Sequence, residues 1–377
     1  MRKIVLILTV LLLIVTTCSQ KNAVKITVVN NLDFERQNEI VEVDWSKIKS
    51  NLAGDLSKTL LISSINSDQT LLTQRVDNNQ DDKTDKLLFK CSIPANSQKS
   101  YVIQLGSEKQ QKQTDSLVYG RFVPERKDDF AWENDKVAFR TYGPALELES
   151  SGIDVWSKKV EYPIIDKWYE KGHYHEDHGE GADFYKVGNS LGCGAPGIEY
   201  QDSIKSSNNY EDWEIISKGP LRFKFKLSYN NLEVNDKSIP EERIISLDVG
   251  SYLNHIIVDF GSNNSVSTNI ITGLNRHKNF EKIVDNDDNV IGLWEKIDDK
   301  NGYLGTGIVP GKSNVDQLYS DFGHEIMKFS SGINKKVEYY AGACWSKGKD
   351  INSKSEWKSY LQKYQKKLLN PLKVKFK

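Results

Sequence analysis

The chain has 377 residues and an almost balanced charge, 51 Lys and Arg against 52 Asp and Glu. No basic stripe breaks that balance, which argues against nucleic acid, and against an anionic membrane surface, as partners. Beyond Cys18 only Cys91, Cys193 and Cys344 remain, so at most one disulfide can form and buried free thiols are expected.

The first residues read as a leader. Arg2 and Lys3 precede the apolar run 4–15, and Thr16-Thr17-Cys18 forms a small-residue junction. That pattern is a secretory signal, too short to be a good spanning helix. A cysteine at the junction, followed by polar Ser19-Gln20-Lys21-Asn22, marks a lipoprotein signal over 1–17 with Cys18 lipidated. The expectation is a periplasmic or outer-membrane protein touching the bilayer only through its lipid.

The remainder, 18–377, is long enough to bury a large core and reads as one large β-sandwich domain. Period-two alternation predicts strands at 25–29, 39–45, 87–91, 101–105 and 137–142. Further along, Leu221, Phe223, Phe225, Leu227 and Tyr229 share one face, with Arg222, Lys224, Lys226 and Ser228 between them. Strands follow at 244–249, 255–260 and 336–344. No βαβ rhythm appears, so the prediction is an all-β protein of antiparallel sheets packed face to face. One helix is expected near the C-terminus, where Trp357, Leu361, Tyr364 and Leu368 repeat at helical spacing. Ser353 and Glu356 suit a capping box and Pro371 a stop, and the helix is expected at a sheet edge. Asp77, Asn79, Asp81 and Asp85 imitate calcium-loop spacing, but Asp82 and Leu88 stand where glycine and glutamate are needed, so 77–85 reads as a solvated hairpin loop.

Residues 115–200 differ. Clear strand patterns are few, and Trp, Tyr, His, Asp and Glu are dense, which predicts a long functional loop region carried by the β scaffold. Three segments there hold chemistry. The first, 124–135, supplies Arg126, Trp132, Glu133 and Asn134, and leads into a strand bearing Arg140 on one face with Ala138 and Tyr142. An arginine can grip a carboxylate through two parallel hydrogen bonds, and a tryptophan offers a flat face to a sugar ring. The second supplies Trp156, Trp168 and Tyr169. The third is His173-Tyr174-His175-Glu176-Asp177-His178, half of the six histidines, followed by Glu180, Asp183 and Tyr185. Histidine titrates near neutrality and is a common metal ligand. His173, His175 and His178, or Asp177, form one candidate set for a divalent metal. Acid–base use without metal or any other cofactor is the favoured expectation. His277 is placed to reach the cleft from a loop, whereas His255 and His324 read as structural.

Taken together these segments resemble the DUF4861 family of exported bacterial proteins. The resemblance rests on Val28-Val29-Asn30-Asn31-Leu32 with Arg36 and Glu39, on Val123-Pro124-Glu125-Arg126 through Trp132-Glu133-Asn134-Asp135 to Phe139-Arg140-Thr141-Tyr142-Gly143-Pro144, on Gly152-Ile153-Asp154-Val155-Trp156 and Trp168-Tyr169, and on 175–188. It covers nearly the whole mature chain. It implies a large antiparallel β-supersandwich of the galactose-mutarotase type and a place in marine polysaccharide breakdown. The activity it implies is dehydration of uronate-containing oligosaccharides such as those from ulvan.

That chemistry sets demands of its own. Eliminating water from a terminal uronic acid takes the proton at C5 and expels the hydroxyl at C4, giving a 4,5-unsaturated uronyl product. The carboxylate must be neutralised, a base must reach C5 and an acid must protonate the leaving oxygen. The expected catalytic residues are His175, His178, Tyr185 and Arg140. Substrate is expected on Arg126, Trp132, Glu133, Asn134, Trp156, Trp168, Tyr169, Glu180, Asp183 and His277. Two alternatives stand beside this one: a polysaccharide lyase cleaving at uronate, and a non-catalytic mutarotase-like carbohydrate-binding protein.

Overall fold

The computed structural model describes residues 22–67, 69–110, 116–146, 150–261, 269–330 and 336–377; the expected leader and Cys18 lie outside them. The chain is an all-β protein of antiparallel ladders with three α-helices among the described residues. Its largest sheet has eight strands, in spatial order Tyr210–Lys218, Arg222–Val234, Lys237–Asp248, Leu253–Asp259, Lys336–Trp345, Gly302–Val309, Val290–Asp298 and Phe280–Asp285. The inward face of this sheet carries the alternating residues Leu221, Phe223, Phe225 and Leu227.

Two five-stranded sheets contribute to the same core. One, here the site sheet, runs Gly181–Ala182, Asp154–Lys158, Val137–Thr141, Asp129–Glu133, Tyr119–Val123. It seats Phe130 on Phe225, with ring centroids 4.4 Å apart. The other runs Ile204–Lys205, Cys193–Glu199, Asn269–Asn275, His324–Phe329, Val315–Asp321 and adds Ile270, Leu274 and Met327. Cys91, Cys193 and Cys344 are buried free thiols.

The first eighty or so described residues build a smaller pair of sheets around a second core containing Ile26, Val43, Trp45, Phe89 and Ile103. In its four-stranded sheet, Ala23–Asn30 lies between Ser97–Leu105 and the C-terminal strand Lys373–Phe376. Leu88 and Val76, on the three-stranded sheet, point instead into the large core and join the two. The 77–85 segment is the hairpin connection expected of it, with the Asp77 carboxylate accepting the amides of Asn79 and Gln80.

The predicted helix spans Lys354–Leu369. Ser353 Oγ accepts the Glu356 amide and the Glu356 carboxylate accepts the Ser353 amide, so the capping box is complete. It lies on the outer face of the large sheet and not at an edge. Trp357 and Leu361 sit against Gly305 and Gly307, where an added Cβ would come within 2.9 Å and 2.6 Å of those side chains. The small glycines let the helix approach.

The region 115–200 is more ordered than its sequence suggests. It forms the whole site sheet, one strand of the second five-stranded sheet and the helix Ile165–Lys171. Asp129–Glu133, Val137–Thr141 and Asp154–Lys158 are buried on both faces at every position, so the alternation that marks a half-wetted strand is missing.

Candidate active site

In these three strands the faces differ sharply. Phe130, Trp132, Phe139 and Val155 turn to the core. The opposite face carries Asp129, Ala131 and Glu133 from one strand, Ala138 and Arg140 from the next, and Asp154, Trp156 and Lys158 from the third. Arg140 stands in register with Asp154 and with Ala131. A polar row thus crosses the sheet under the helix and the histidine-rich loop.

Arg140 is its hub. The guanidinium holds Asp154 Oδ2 through Nη2 at 2.5 Å and Nε at 3.0 Å, and Asp183 Oδ2 through Nη2 at 3.1 Å. Asp129 Oδ2 lies 3.5 Å from Nη1, and the Trp156 and Tyr174 rings lie 5.3 Å and 5.5 Å from the guanidinium carbon. One guanidinium therefore serves three buried carboxylates. Burial pushes the Asp129 carboxyl up to about 6 against the pull of Arg140 and Arg126, and burial together with Asp154 raises Asp183 well above the carboxylate range. Oδ1 of each of these two aspartates is buried with no hydrogen-bond partner among the described residues.

Further along the row, fully buried Glu133 and Lys158 form an ion pair. Lys158 also donates to the Asn134 carbonyl at 2.7 Å. Glu133 accepts the amides of Ile164 and Ile165 at 2.7 Å and 2.9 Å, which fastens the start of the Ile165–Lys171 helix to the sheet. That helix delivers Trp168 and Tyr169, and the Tyr169 hydroxyl donates to Asp129 at 3.0 Å.

The loop after it is pinned by Asp177, whose Oδ1 accepts the amides of Gly179 and Gly181 and whose Oδ2 pairs with Lys159 at 2.9 Å. At Gly181, with φ of +116°, a Cβ would fall 1.9 Å from the Ser157 carbonyl oxygen, so only glycine fits. So held, the loop lays Tyr174 on Trp156 with ring centroids 4.9 Å apart. The Tyr174 hydroxyl accepts from Arg126 Nε and from Arg140 Nη1, each at 3.2 Å. Next to it, His175 Nδ1 lies 3.3 Å from Asp183 Oδ2. The His175 side chain is 66 % exposed, so the rest of its ring faces solvent.

The three histidines do not converge. His173 and His178 line a cavity of about 370 Å³ together with Trp168, Lys171, Tyr174 and Glu180, while His175 pairs with Asp183 beside the arginines. Among the described residues no group of three or more His, Cys, Asp or Glu is arranged to hold a metal ion. The expected set of His173, His175, His178 or Asp177 is not assembled, because Asp177 is committed to the loop amides and Lys159.

Several expected substrate contacts are internal. Trp132 is fully buried, stacked on Phe139, with its indole N–H donating to Asn254 at 2.7 Å. Glu133 anchors the helix, and Asn134 holds the carbonyls of Asp248 and Ser251 at 2.6 Å each. Trp156 is the buried floor beneath Tyr174. Arg140 is not free to grip a ligand carboxylate, since Asp154 and Asp183 already occupy it. Tyr185 is buried, and its hydroxyl has no partner among the described residues. It packs edge-on against His277, whose Nδ1 faces Glu295 at 3.1 Å and whose Nε2 lies 2.7 Å from the Lys186 carbonyl. Burial pulls the His277 imidazole down, but Glu295 outweighs it and the net shift is upward.

Of the residues expected on substrate, Arg126, Trp168, Tyr169, Glu180 and Asp183 gather around the loop. Glu180 accepts from the Trp168 indole at 3.2 Å and pairs with Lys167. Arg126 bonds only to Tyr174 among the described hydrogen bonds, and Glu125 pairs with Arg121 instead. Sequence reasoning passed over Asp129, Asp154 and Tyr174. The signal for Tyr174 was its place between two histidines; the aspartates showed none, being polar residues in strands without alternation.

Fold and site together define an all-β supersandwich whose outer sheet face carries a buried arginine–carboxylate hub beneath a histidine-rich loop. The chain belongs to the DUF4861 family, described as a domain of unknown function, whose model matches residues 28–374. It is 38% identical over 374 residues to Uncharacterized protein P7 of Formosa agariphila, covering 93% of this chain and 92% of that one. Among solved structures it resembles a glycosyl hydrolase family 38 protein of Enterococcus faecalis and an alpha-mannosidase of Enterococcus faecalis V583. Both superpose on 96% of this chain with a TM-score of 0.52 and 8% identity. The chain spans about half the length of those two proteins, 48% and 47%, and the likeness is one of fold.

Proposed function

We propose that the protein is a carbohydrate dehydratase, a carbon–oxygen lyase that eliminates water from a terminal uronic acid of oligosaccharides such as those from ulvan. It would work as an exported protein held by lipid at Cys18. The observation that carries the reading is the adjacency of three functions at one partly exposed spot. A histidine is backed by a carboxylate (His175 on Asp183), a tyrosine hydroxyl is held by two guanidiniums (Tyr174), and one of those arginines, Arg126, bonds to nothing but that hydroxyl among the described residues. Arg126 is the cation available to a substrate carboxylate, the role first expected of Arg140. His175 takes the C5 proton, and Asp183 orients the ring. Tyr174, its oxygen already accepting two N–H donors, gives its proton to the departing C4 hydroxyl, and the guanidiniums stabilise the phenolate left behind.

Bonds and charges balance: C5–H and C4–O break, the C4–C5 double bond and water form, and the proton on His175 returns to Tyr174 through solvent. Each placed acid or base is worth roughly 10²–10⁴ in rate. Arg140 positions the group by holding Asp183 and Tyr174 at once. The test is incubation with uronate-terminated oligosaccharides and mass spectrometry of the products. Loss of one water at unchanged chain length supports dehydration; shortened chains mean a polysaccharide lyase, and unchanged substrate favours a binding protein. In His175→Ala turnover is expected to fall by about 10²-fold or more with the fold intact. Activity close to that of the parent protein would remove the histidine from the mechanism.

A further inference from the structure

A second recess lies on the other side of the sandwich from the histidine loop. It is enclosed by the outer face of the large sheet, the helix Lys354–Leu369 and the strand Arg36–Asp44 of the smaller pair of sheets. Its volume is about 1200 Å³, above the roughly 300–1,000 Å³ of ordinary small-molecule clefts. The floor is a straight row across four strands: Lys224 stands in register with Ser246, Ser246 with His255 and His255 with Tyr340. Neighbouring strands are about 4.8 Å apart, so the row is about 14 Å long. Along it the His255 and Tyr340 rings stack with centroids 4.6 Å apart, and the His255 side chain stays 30 % exposed beside the small Ser246. The side chains of Ser246 and Tyr340 make no hydrogen bond among the described residues. Lys224 Nζ meets only the neutral Asn78 Oδ1 there, at 3.1 Å.

Charge in the recess is unevenly matched. Glu39, Glu42, Asp248 and Asp350 are each paired with a cation. Glu35 alone among the lining carboxylates lacks a cation, a histidine or the helix cap as partner among the described residues. Lys90, Lys224, Lys312 and Lys363, by contrast, form no salt bridge among them. Burial pulls the Lys224 ammonium down, and an anion beside it would restore the charged form. Such a floor suits neither common mode of peptide capture. Strand addition needs a sheet edge with free backbone groups, and this is a sheet face; helix docking needs a line of apolar anchors, and this line is polar. An aromatic pair, hydroxyls at strand spacing and surplus ammoniums suit a sugar chain that carries acidic groups. We propose that the recess is a second saccharide-binding site, which holds an acidic oligosaccharide, carboxylated or sulfated, along the row from Lys224 to Tyr340 without acting on it. The site is separate from the acid–base patch and does not depend on the dehydratase reading.

The test is calorimetric titration of the Arg126→Ala, His175→Ala protein, in which the patch at the histidine loop is disabled. The probes are hexagalacturonate for carboxylates, sulfated maltohexaose for sulfate esters, neutral maltohexaose, and hexaglutamate as an acidic peptide. Saturable binding of one or both acidic saccharides is expected, and the one that binds identifies the anion. Adding Lys224→Gln removes a charge-assisted hydrogen bond and should raise Kd about tenfold or more. Adding Tyr340→Phe instead removes only a hydroxyl and should raise Kd about two- to tenfold. Maltohexaose bound as tightly as the acidic saccharides would overturn the assignment of charge, and hexaglutamate bound as tightly would overturn that of a sugar. Absence of binding, or binding that neither added substitution weakens, would overturn the site itself.

Discussion

Replacing Arg140 by methionine isolates what the hub does. The substitution keeps a long side chain over Trp156 but removes the guanidinium hydrogen-bonded to Asp154 and Asp183. Those carboxylates are 1 % exposed, and Asp129 is fully buried. Breaking a buried ion pair by deleting one partner costs about 3–5 kcal/mol, because the remaining charge has neither solvent nor counter-ion. Arg140→Lys retains the charge but not the fork, and the loss of one or two charge-assisted hydrogen bonds at about 1.5–3 kcal/mol each sets its expected cost lower. The distinctive outcome is in the pH dependence. A carboxyl whose folded pKa is raised above its unfolded value loses stability as pH rises, since the unfolded chain gives up the proton first. Burial and Asp154 already raise Asp183, and burial raises Asp129 to about 6. Without Arg140 both rise further. Urea denaturation of Arg140→Met at about pH 8 and about pH 5 should show a deficit that shrinks on acidification, by about 1.4 kcal/mol per pH unit for each carboxyl held protonated only in the folded state. A deficit equal at both values, or none at about pH 8, would refute the hub.

Glu133→Gln leaves the Lys158 ammonium buried without its carboxylate and should cost about 3–5 kcal/mol in urea melts. The double change Glu133→Leu with Lys158→Met should recover a large part of that loss. His277, raised by Glu295 against the opposing effect of burial, contributes stability that is complete below the ordinary histidine range and lost as pH rises through its folded value. Glu295→Gln should flatten that slope, and an unchanged profile would remove the pair from the account. Leu361→Ala opens a void against Gly292 and Gly307 on the outer face of the large sheet and should cost about 2–5 kcal/mol. Because that face lies away from the histidine loop, turnover per folded molecule should not change.

How much of this was legible in the sequence depended on where water reaches the sheet. The outer side chains Lys224 and Lys226 are partly exposed while Phe223 and Phe225 are buried, so 221–229 alternates and reads correctly. Asp129–Glu133 and Asp154–Lys158 are covered on both sides, one by the core and the other by the helix and loop, so their tryptophans looked like loop chemistry and their aspartates gave no signal. Trp132 was assigned to substrate for the same reason: an aromatic beside acids reads alike whether it stacks on a sugar or on Phe139. The histidine run marked the loop that carries the patch. Its division of labour did not show, because only the fold brings Asp183 to His175 and turns Tyr174 onto two arginines 48 and 34 residues upstream. The capping box at Ser353 and Glu356 was readable outright, being a purely local interaction.

The strand Ala23–Asn30 is synthesised long before its ladder partner Lys373–Phe376. Yet Ile26 faces Phe376 across the ladder and the Lys377 amide donates to the Lys25 carbonyl at 2.9 Å. Throughout synthesis one margin of the early sheet therefore stays open, with unpaired backbone groups that invite a neighbouring chain. Only the strand Lys373–Phe376 can seal it, so that strand acts as a clasp on the early sheet. A chain lacking Lys373–Phe376 would keep that margin open and lose the packing of Val374 and Phe376 on the second core.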